Sequence, residues 1–286
     1  MFDDDVMEDL LREKLDEYPP IFVAFYSGGF YPAEGEKLVE PILQAVKEQG
    51  LKDTLILHHP DAYGMEGSGY EPYPAYLDRL VEEIDKDPQR AGRRLLLFGH
   101  SRGVCPAYAL ACRLGQRRVK KIYVTATGGF QLGEKTGWEH ISEHFKSGGD
   151  DLVVKWLLTN NPGNAILEQA AKSKPQELEA MLADSKWFRD LMTLTKLQYK
   201  TAMFPDPTRD LKVTDVPIMS FPLTQDPSAD KKSCAAWTKC TTAKVEYVEI
   251  NTTHMGVLKP QAKKGSSEQK HFPLGIAIGK DIKQFL

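Results

Sequence analysis

The chain has 286 residues, 41% hydrophobic and 27% charged, with 37 basic against 40 acidic side chains and a formal net charge of −3. That apolar content supports a sizeable core and excludes global disorder. The near-even charge balance excludes a globally basic nucleic-acid binder.

No uninterrupted apolar run approaches the ~20 residues that cross a bilayer. The acidic start, MFDDDVMEDLLREKLDEYPP, lacks the apolar core of a signal peptide and is too acidic for a transit peptide. Four cysteines in a chain of this length do not make a disulfide scaffold. A reducing compartment, the cytoplasm, is therefore expected.

A short acidic amphipathic helix is expected over 3–17 and ends at Pro19-Pro20. Strand and helix patterns then alternate. The apolar run IFVAFY (21–26) reads as a strand buried on both faces. A helix over 36–49 places Leu38, Ile42, Ala45 and Val46 on one side. A second strand (54–57), a helix (74–85, with Tyr76, Leu80 and Ile84 inward), a third strand (95–98), a helix (103–114) and a fourth strand (122–125) follow. Over 130–204 the pattern is helical. Strands resume at 216–223 and 245–250 around a helix at 231–239, and a last helix covers 274–285. Alternating β and α implies a mainly parallel sheet with helices on both faces. The expected organisation is an α/β core in two parts, 1–129 and 205–286, interrupted by a helical lid insertion at 130–204. Ligands bind at the carboxyl ends of such sheets, which is where the insertion would lie.

Gly99-His100-Ser101-Arg102-Gly103 stands between the strand LLLF and the helix VCPAYALACRL. This is the strand–turn–helix setting that a Gly-x-Ser-x-Gly nucleophile requires. The turn lifts the serine hydroxyl above the sheet, and a side chain two residues away on either side would collide, so glycine is needed at 99 and 103. A serine nucleophile needs a base, and the base needs an orienting acid. On this fold the chain order is Ser, acid, His. Of seven histidines, His254 follows the last strand at its carboxyl end, whereas His271 lies in a Lys/Ser/Gln-rich loop. His140 and His144 are four apart on a predicted helix with no accompanying ligand set, so no metal is expected. Asp226 follows the strand over 216–223 and is assigned as the acid; Asp230 is its competitor, and helix capping is the alternative role for either. Backbone N–H groups of Ser27, in the loop Ser27-Gly28-Gly29, and of Arg102 are the expected oxyanion donors.

These segments resemble the type II, or editing, thioesterases of polyketide and nonribosomal peptide assembly lines, within the α/β-hydrolase superfamily. The likeness covers roughly 21–258. It is carried by FVAFYSGG, LLLFGHSRG, WFRDLMTLTKLQYKTA and the closing block VPIMSFPLTQDPSADKKSCAAWTK…VEYVEINTTHMGVL, in which Asp226, Trp237 and His254 fall in order. Several positions depart from the family pattern. Arg102 replaces a Met or Leu, Thr252-Thr253 replaces Gly-Gly, Leu223-Thr224-Gln225 stands where a glycine precedes the acid, and Met255-Gly256 replaces an aromatic pair.

The resemblance implies hydrolysis of an acyl thioester held on a phosphopantetheine carrier protein, or on coenzyme A, in polyketide or fatty-acid-like chemistry. It implies no metal or organic cofactor, and a monomer is expected. Trp156, Phe188, Met192 and Tyr199 are candidates for lining the acyl chamber, with Gly28, Gly29 and Met255 beside the reacting group; packing between lid and core is the other reading of the first four. Alternatives from the same residues are a carboxylesterase or lipid hydrolase, and a non-catalytic binding module on a hydrolase scaffold. A basic cluster, Arg113, Arg117, Arg118, Lys120 and Lys121, reads either as a docking patch for an acidic carrier or as cations favoured at a helix C-terminus and in solvent. The second account is preferred.

Overall fold

The computed structural model describes residues 18–26, 32–57, 73–130, 132, 150–160, 165–186, 188–189, 191–192, 211–262 and 270–286. The helix expected over 3–17 lies outside them. Strands β1 (Ile21–Phe25), β2 (Thr54–Leu57), β3 (Leu95–His100), β4 (Val119–Thr125), β5 (Ile218–Phe221) and β6 (Val245–Tyr247) form one sheet in the order β2-β1-β3-β4-β5-β6. Every pairing is parallel. Among the described residues the helices are α1 (Pro32–Glu48), α2 (Tyr73–Asp85), α3 (Val104–Arg118), α4 (Asp150–Asn160), α5 (Ala165–Lys172), α6 (Pro175–Asp184), α7 (Lys231–Cys234) and α8 (Pro273–Ile282). A two-stranded ribbon, Gln261–Ala262 with Lys270–His271, lies apart from the sheet.

Burial follows strand order. All residues of β1 and β3 are buried, as their unbroken apolar runs require, while the edge strands β2 and β6 are partly open. The chain runs from β1 to β2 in one direction, then through β3 to β6 in the other. Right-handed crossovers therefore put α1 on one face and α2 and α3 on the other. The packing agrees: α1 meets α8, and α2 meets α3. Helices α1 and α8 approach closely because α8 carries glycine at the contact; a Cβ on Gly275 would stand 2.7 Å from that of Ala45. The reversal between β1 and β3 creates a crevice at their carboxyl ends, the place where such sheets bind ligands.

Two expected helices differ in detail. The helix after β3, expected over 103–114, runs on to Arg118 past a kink at Gly115, whose φ of 61° is non-helical. The segment 231–239 is four residues of α-helix continued as a 3-10 turn, Ala235–Lys239, in which Trp237 is fully buried. Helices α4 to α6 form a second, smaller apolar cluster with Val153, Val154, Leu157, Leu167, Ala170, Leu178, Phe188 and Met192. Among the described residues no helix is long and apolar enough to cross a membrane.

The preferred reading of the basic cluster holds in part, since Arg117 and Arg118 lie in the last turn of α3 and Arg113 and Arg117 are exposed, but three of its cations are also ion-paired. Arg113 pairs with Asp78 and Arg118 with Asp85. Lys121, 2% exposed, reaches Asp281 (2.7 Å) and Glu246 (3.1 Å), tying β4 to α8 and β6. Tyr123 donates to the other Asp281 oxygen at 2.7 Å. A cation this deeply buried persists only when paired.

Candidate active site

Strand β3 ends at His100, and the chain turns through Ser101-Arg102-Gly103 into α3. Ser101 has φ +53°, the left-handed region that costs a non-glycine residue about 1–2 kcal/mol. The flanking glycines are sterically required. A Cβ on Gly99 would lie 2.5 Å from the Val104 Cα, and one on Gly103 would lie 2.4 Å from the Tyr26 carbonyl oxygen. Both obstacles are backbone, so neither can swing aside. The same contact shows that the end of β1 abuts the serine turn. Neither this turn nor α3 has a side-chain cap at its N-terminus. Helix-end donors and the positive end of the dipole are therefore directed at whatever sits above Ser101.

His254 arrives from the other side. The bridge Leu223↔Ile250 extends β5 and β6, and the chain then loops through 251–255. The His254 Nε2 lies 3.0 Å from Ser101 Oγ, and its Nδ1 lies 2.7 Å from Asp226 Oδ2. These contacts span 153 and 28 residues of chain. A carboxylate only accepts, so Nδ1 carries the hydrogen and Nε2 accepts from the serine hydroxyl.

Asp226 makes the contacts of both roles that competed for it. Its Oδ2 faces His254, while its Oδ1 caps the 3-10 turn Pro227–Ala229 by accepting from the Ser228 N–H (3.0 Å) and Oγ–H (2.7 Å). Burial alone would raise its pKa, but the hydrogen bonds from His254 and Ser228 outweigh burial and hold the carboxyl below its ordinary value. Asp230 instead caps α7, accepting from the Ser233 N–H at 2.7 Å.

The loops that carry Asp226 and His254 are cross-tied. Asn251 Oδ1 accepts from Thr224 Oγ1 (2.5 Å) and from Gln225 Nε2 (3.1 Å), and the Gln225 N–H donates to the Thr252 carbonyl. The side chains of Thr224 and Gln225 thus join one loop to the other through Asn251, whereas Thr252 contributes only its backbone carbonyl. Thr253 Oγ1 also accepts from the Gly256 N–H. Behind the acid loop, Trp237 packs edge-on to Phe130 (5.0 Å) and near Tyr108 (5.9 Å).

Arg102 follows Ser101 in the 3-10 turn, and half-buried Met255 follows His254. Phe188 and Met192 are 0% and 2% exposed inside the second apolar cluster, where their neighbours are helix side chains. Ser27, Gly28, Gly29 and Tyr199, with the side chain of Trp156, lie outside the described residues. Among the described residues no group of three or more His, Cys, Asp or Glu could hold a metal ion.

The sequence reading passed over His100, Asn251 and Ser228. The signal for His100 was its place at the end of a fully buried strand, since a buried polar group needs a partner. Its Nε2–H donates to the His254 carbonyl at 2.9 Å, and burial first, then the nearby His254, lowers its pKa to about 3. Unfolded histidine titrates near 6.5. Between those values the folded chain binds fewer protons than the unfolded one, so stability falls as pH falls through that window. We expect this group to cost about 2 kcal/mol of stability between pH 7.5 and 5. Urea unfolding at the two pH values, with and without His100→Gln, checks it: the variant should lose that slope. Asp226, depressed below its ordinary value of 3.8, contributes a separate loss only at more acidic pH.

A family model described as the Alpha/beta hydrolase family matches residues 26–263. No curated protein sequence matches this chain. Solved structures with the same fold include the thioesterase RedJ from the prodiginine biosynthetic pathway of Streptomyces coelicolor, with 15% identity, a TM-score of 0.59, and 93% of this chain and 86% of that one covered. ClbQ from the colibactin NRPS/PKS pathway shares 13% identity at a TM-score of 0.59, covering 94% of this chain and 98% of that one. The type II thioesterase BorB from the borrelidin biosynthetic cluster shares 16% at 0.54, covering 94% and 93%. At these identities the likeness is one of fold.

Proposed function

The chain belongs to the alpha/beta hydrolase family, and on that footing we propose that it is a serine thioesterase. In this reading it hydrolyses acyl thioesters carried on the phosphopantetheine arm of a carrier protein or on coenzyme A. The observation that carries the reading is a single imidazole, His254, within 2.7 Å of a buried carboxylate and 3.0 Å of a hydroxyl on a strained turn. The thioester substrate comes from the four sequence blocks and from the fold neighbours RedJ and BorB, which are thioesterases.

The chemistry follows from the geometry. His254 Nε2 takes the Ser101 proton as Oγ attacks the thioester carbonyl, and Asp226 stabilises the imidazolium and fixes its orientation. Backbone N–H groups of Arg102 and Ser27 receive the oxyanion. The tetrahedral intermediate collapses with cleavage of the C–S bond, and His254 gives its proton to the departing sulfur, which leaves easily because a thiol is far more acidic than an alcohol. Water, deprotonated by His254, then attacks the acyl-Ser101 ester; the acyl C–Oγ bond breaks, His254 returns the proton to Oγ, and the free acid departs. In this reading the helical block, of which α4 to α6 are described, serves to cover the acyl site, and Phe188 and Met192 pack among its helices.

The test compares acyl-pantetheine thioesters of varied length and charge with matched oxygen esters, alongside labelling by a fluorophosphonate probe. Thioester turnover with Ser101-dependent labelling supports the reading. Turnover of oxygen esters alone makes the protein an esterase, and a folded, unlabelled protein makes it a binding module.

A further inference from the structure

His100 is fully buried at the end of β3, and the hydrogen bond of its ring is not to the hydroxyl of the adjacent Ser101. It points to a loop 154 residues further along the chain. Its Nε2 lies 2.9 Å from the backbone carbonyl oxygen of His254, and the two rings meet edge-on with centroids 5.3 Å apart at 69°. A carbonyl only accepts, so Nε2 carries the hydrogen. Nδ1 has no hydrogen-bond partner among the described residues.

We propose that His100 is a positioning residue, whose Nε2–H holds the His254 carbonyl and so sets where the His254 imidazole stands between Asp226 and Ser101. The inference rests on the reading of His254 as the base. The His254 side chain is 35% exposed, so packing alone does not fix it. Its ring bonds set the orientation of the imidazole, and the His100 contact anchors the backbone from which that ring projects. An error of 1 Å in such a group costs on the order of 100-fold in rate.

The donor must also be uncharged. Its neighbour becomes an imidazolium in the reaction, and a second cation at this distance would oppose that charge. The buried imidazole of His100 supplies an N–H without a charge, as its depressed pKa requires. A lysine or arginine in its place would add a cation.

The experiment compares His100→Gln, His100→Asn and His100→Leu in the full chain, reading kcat and KM on an acyl-pantetheine thioester, fluorophosphonate labelling rate and melting temperature. The glutamine amide nitrogen has the reach of Nε2, whereas the asparagine amide is one methylene short. Glutamine should keep kcat within about 3-fold, while asparagine and leucine should lose about 10- to 100-fold in kcat with KM little changed. Wild-type kcat in the asparagine or leucine variant overturns the proposal, as does a glutamine variant no better than asparagine. If the leucine variant does not fold, the two amides decide. A His254→Ala control separates the layers. Wild-type labelling that ignores His254→Ala defeats the reading of His254 itself. Labelling that needs His254 but is unchanged in His100→Asn defeats only the role of His100.

Discussion

Replacing Ser101 with alanine is expected to lower thioester turnover by about 10⁶-fold, the scale seen when the nucleophile of a serine triad is removed. What remains, roughly 10³- to 10⁴-fold over water, would come from substrate binding and the oxyanion donors. The fold should not suffer. Alanine at φ +53° bears the same left-handed strain as serine, and among the described residues the hydroxyl's hydrogen-bond partner is the His254 ring. Glycine at 101 separates strain from chemistry. It adopts this conformation without penalty, so Ser101→Gly should be equally inactive yet about 1 kcal/mol more stable to urea than Ser101→Ala. That result would mean the turn stores strain to hold the hydroxyl above the sheet, as strained functional sites do. Retention of more than about 1% of activity by Ser101→Ala would remove Ser101 from the nucleophile's role.

The parts of this site that were legible in the sequence are those whose constraints are local. Glycines at 99 and 103 are forced by backbone within a few residues, or by the neighbouring strand that an α/β pattern already supplies. The unbroken apolar runs of β1 and β3 reported burial on both faces, and the order of elements reported a parallel sheet. The remainder depended on contacts that no local pattern encodes. The partner of His100 is 154 residues away, so nothing near it in the chain marks its ring for a role. Lys121 finds Asp281 across 160 residues, so a buried, paired lysine looked like one more cation of a solvated run. Apolar periodicity at Phe188 and Met192 does not separate chamber lining from helix packing, because both bury the same surface. The choice between capping and orienting roles for Asp226 was posed as exclusive because a residue was counted as one group. A carboxylate has two oxygens, and here they face different partners.

That division of labour sets the second large effect. Asp226→Asn is expected to lower kcat by about 10⁴-fold with little change in stability, because the two oxygens fail unequally. The Ser228 N–H and Oγ–H surround the Oδ1 position and will keep an oxygen there, which preserves the cap of the 3-10 turn. The amide nitrogen is then left facing His254 Nδ1, where Oδ2 stood at 2.7 Å. Two donors cannot share that contact, so the imidazole moves its hydrogen to Nε2 and loses the lone pair that should take the serine proton. Asp226→Ala removes the cap as well, and should cost about 1 kcal/mol of stability in addition to the activity. Asp230→Asn is the control. Asparagine is as good an N-cap as aspartate, and Asp230 faces Ser233 rather than the imidazole, so turnover should stay within about 2-fold of wild type. Steady-state kinetics and urea unfolding of the three variants decide the assignment. A large kinetic loss in Asp230→Asn with none in Asp226→Asn would transfer the acid's role from one cap to the other, and would require the loop over 224–230 to rearrange by several ångströms when substrate binds.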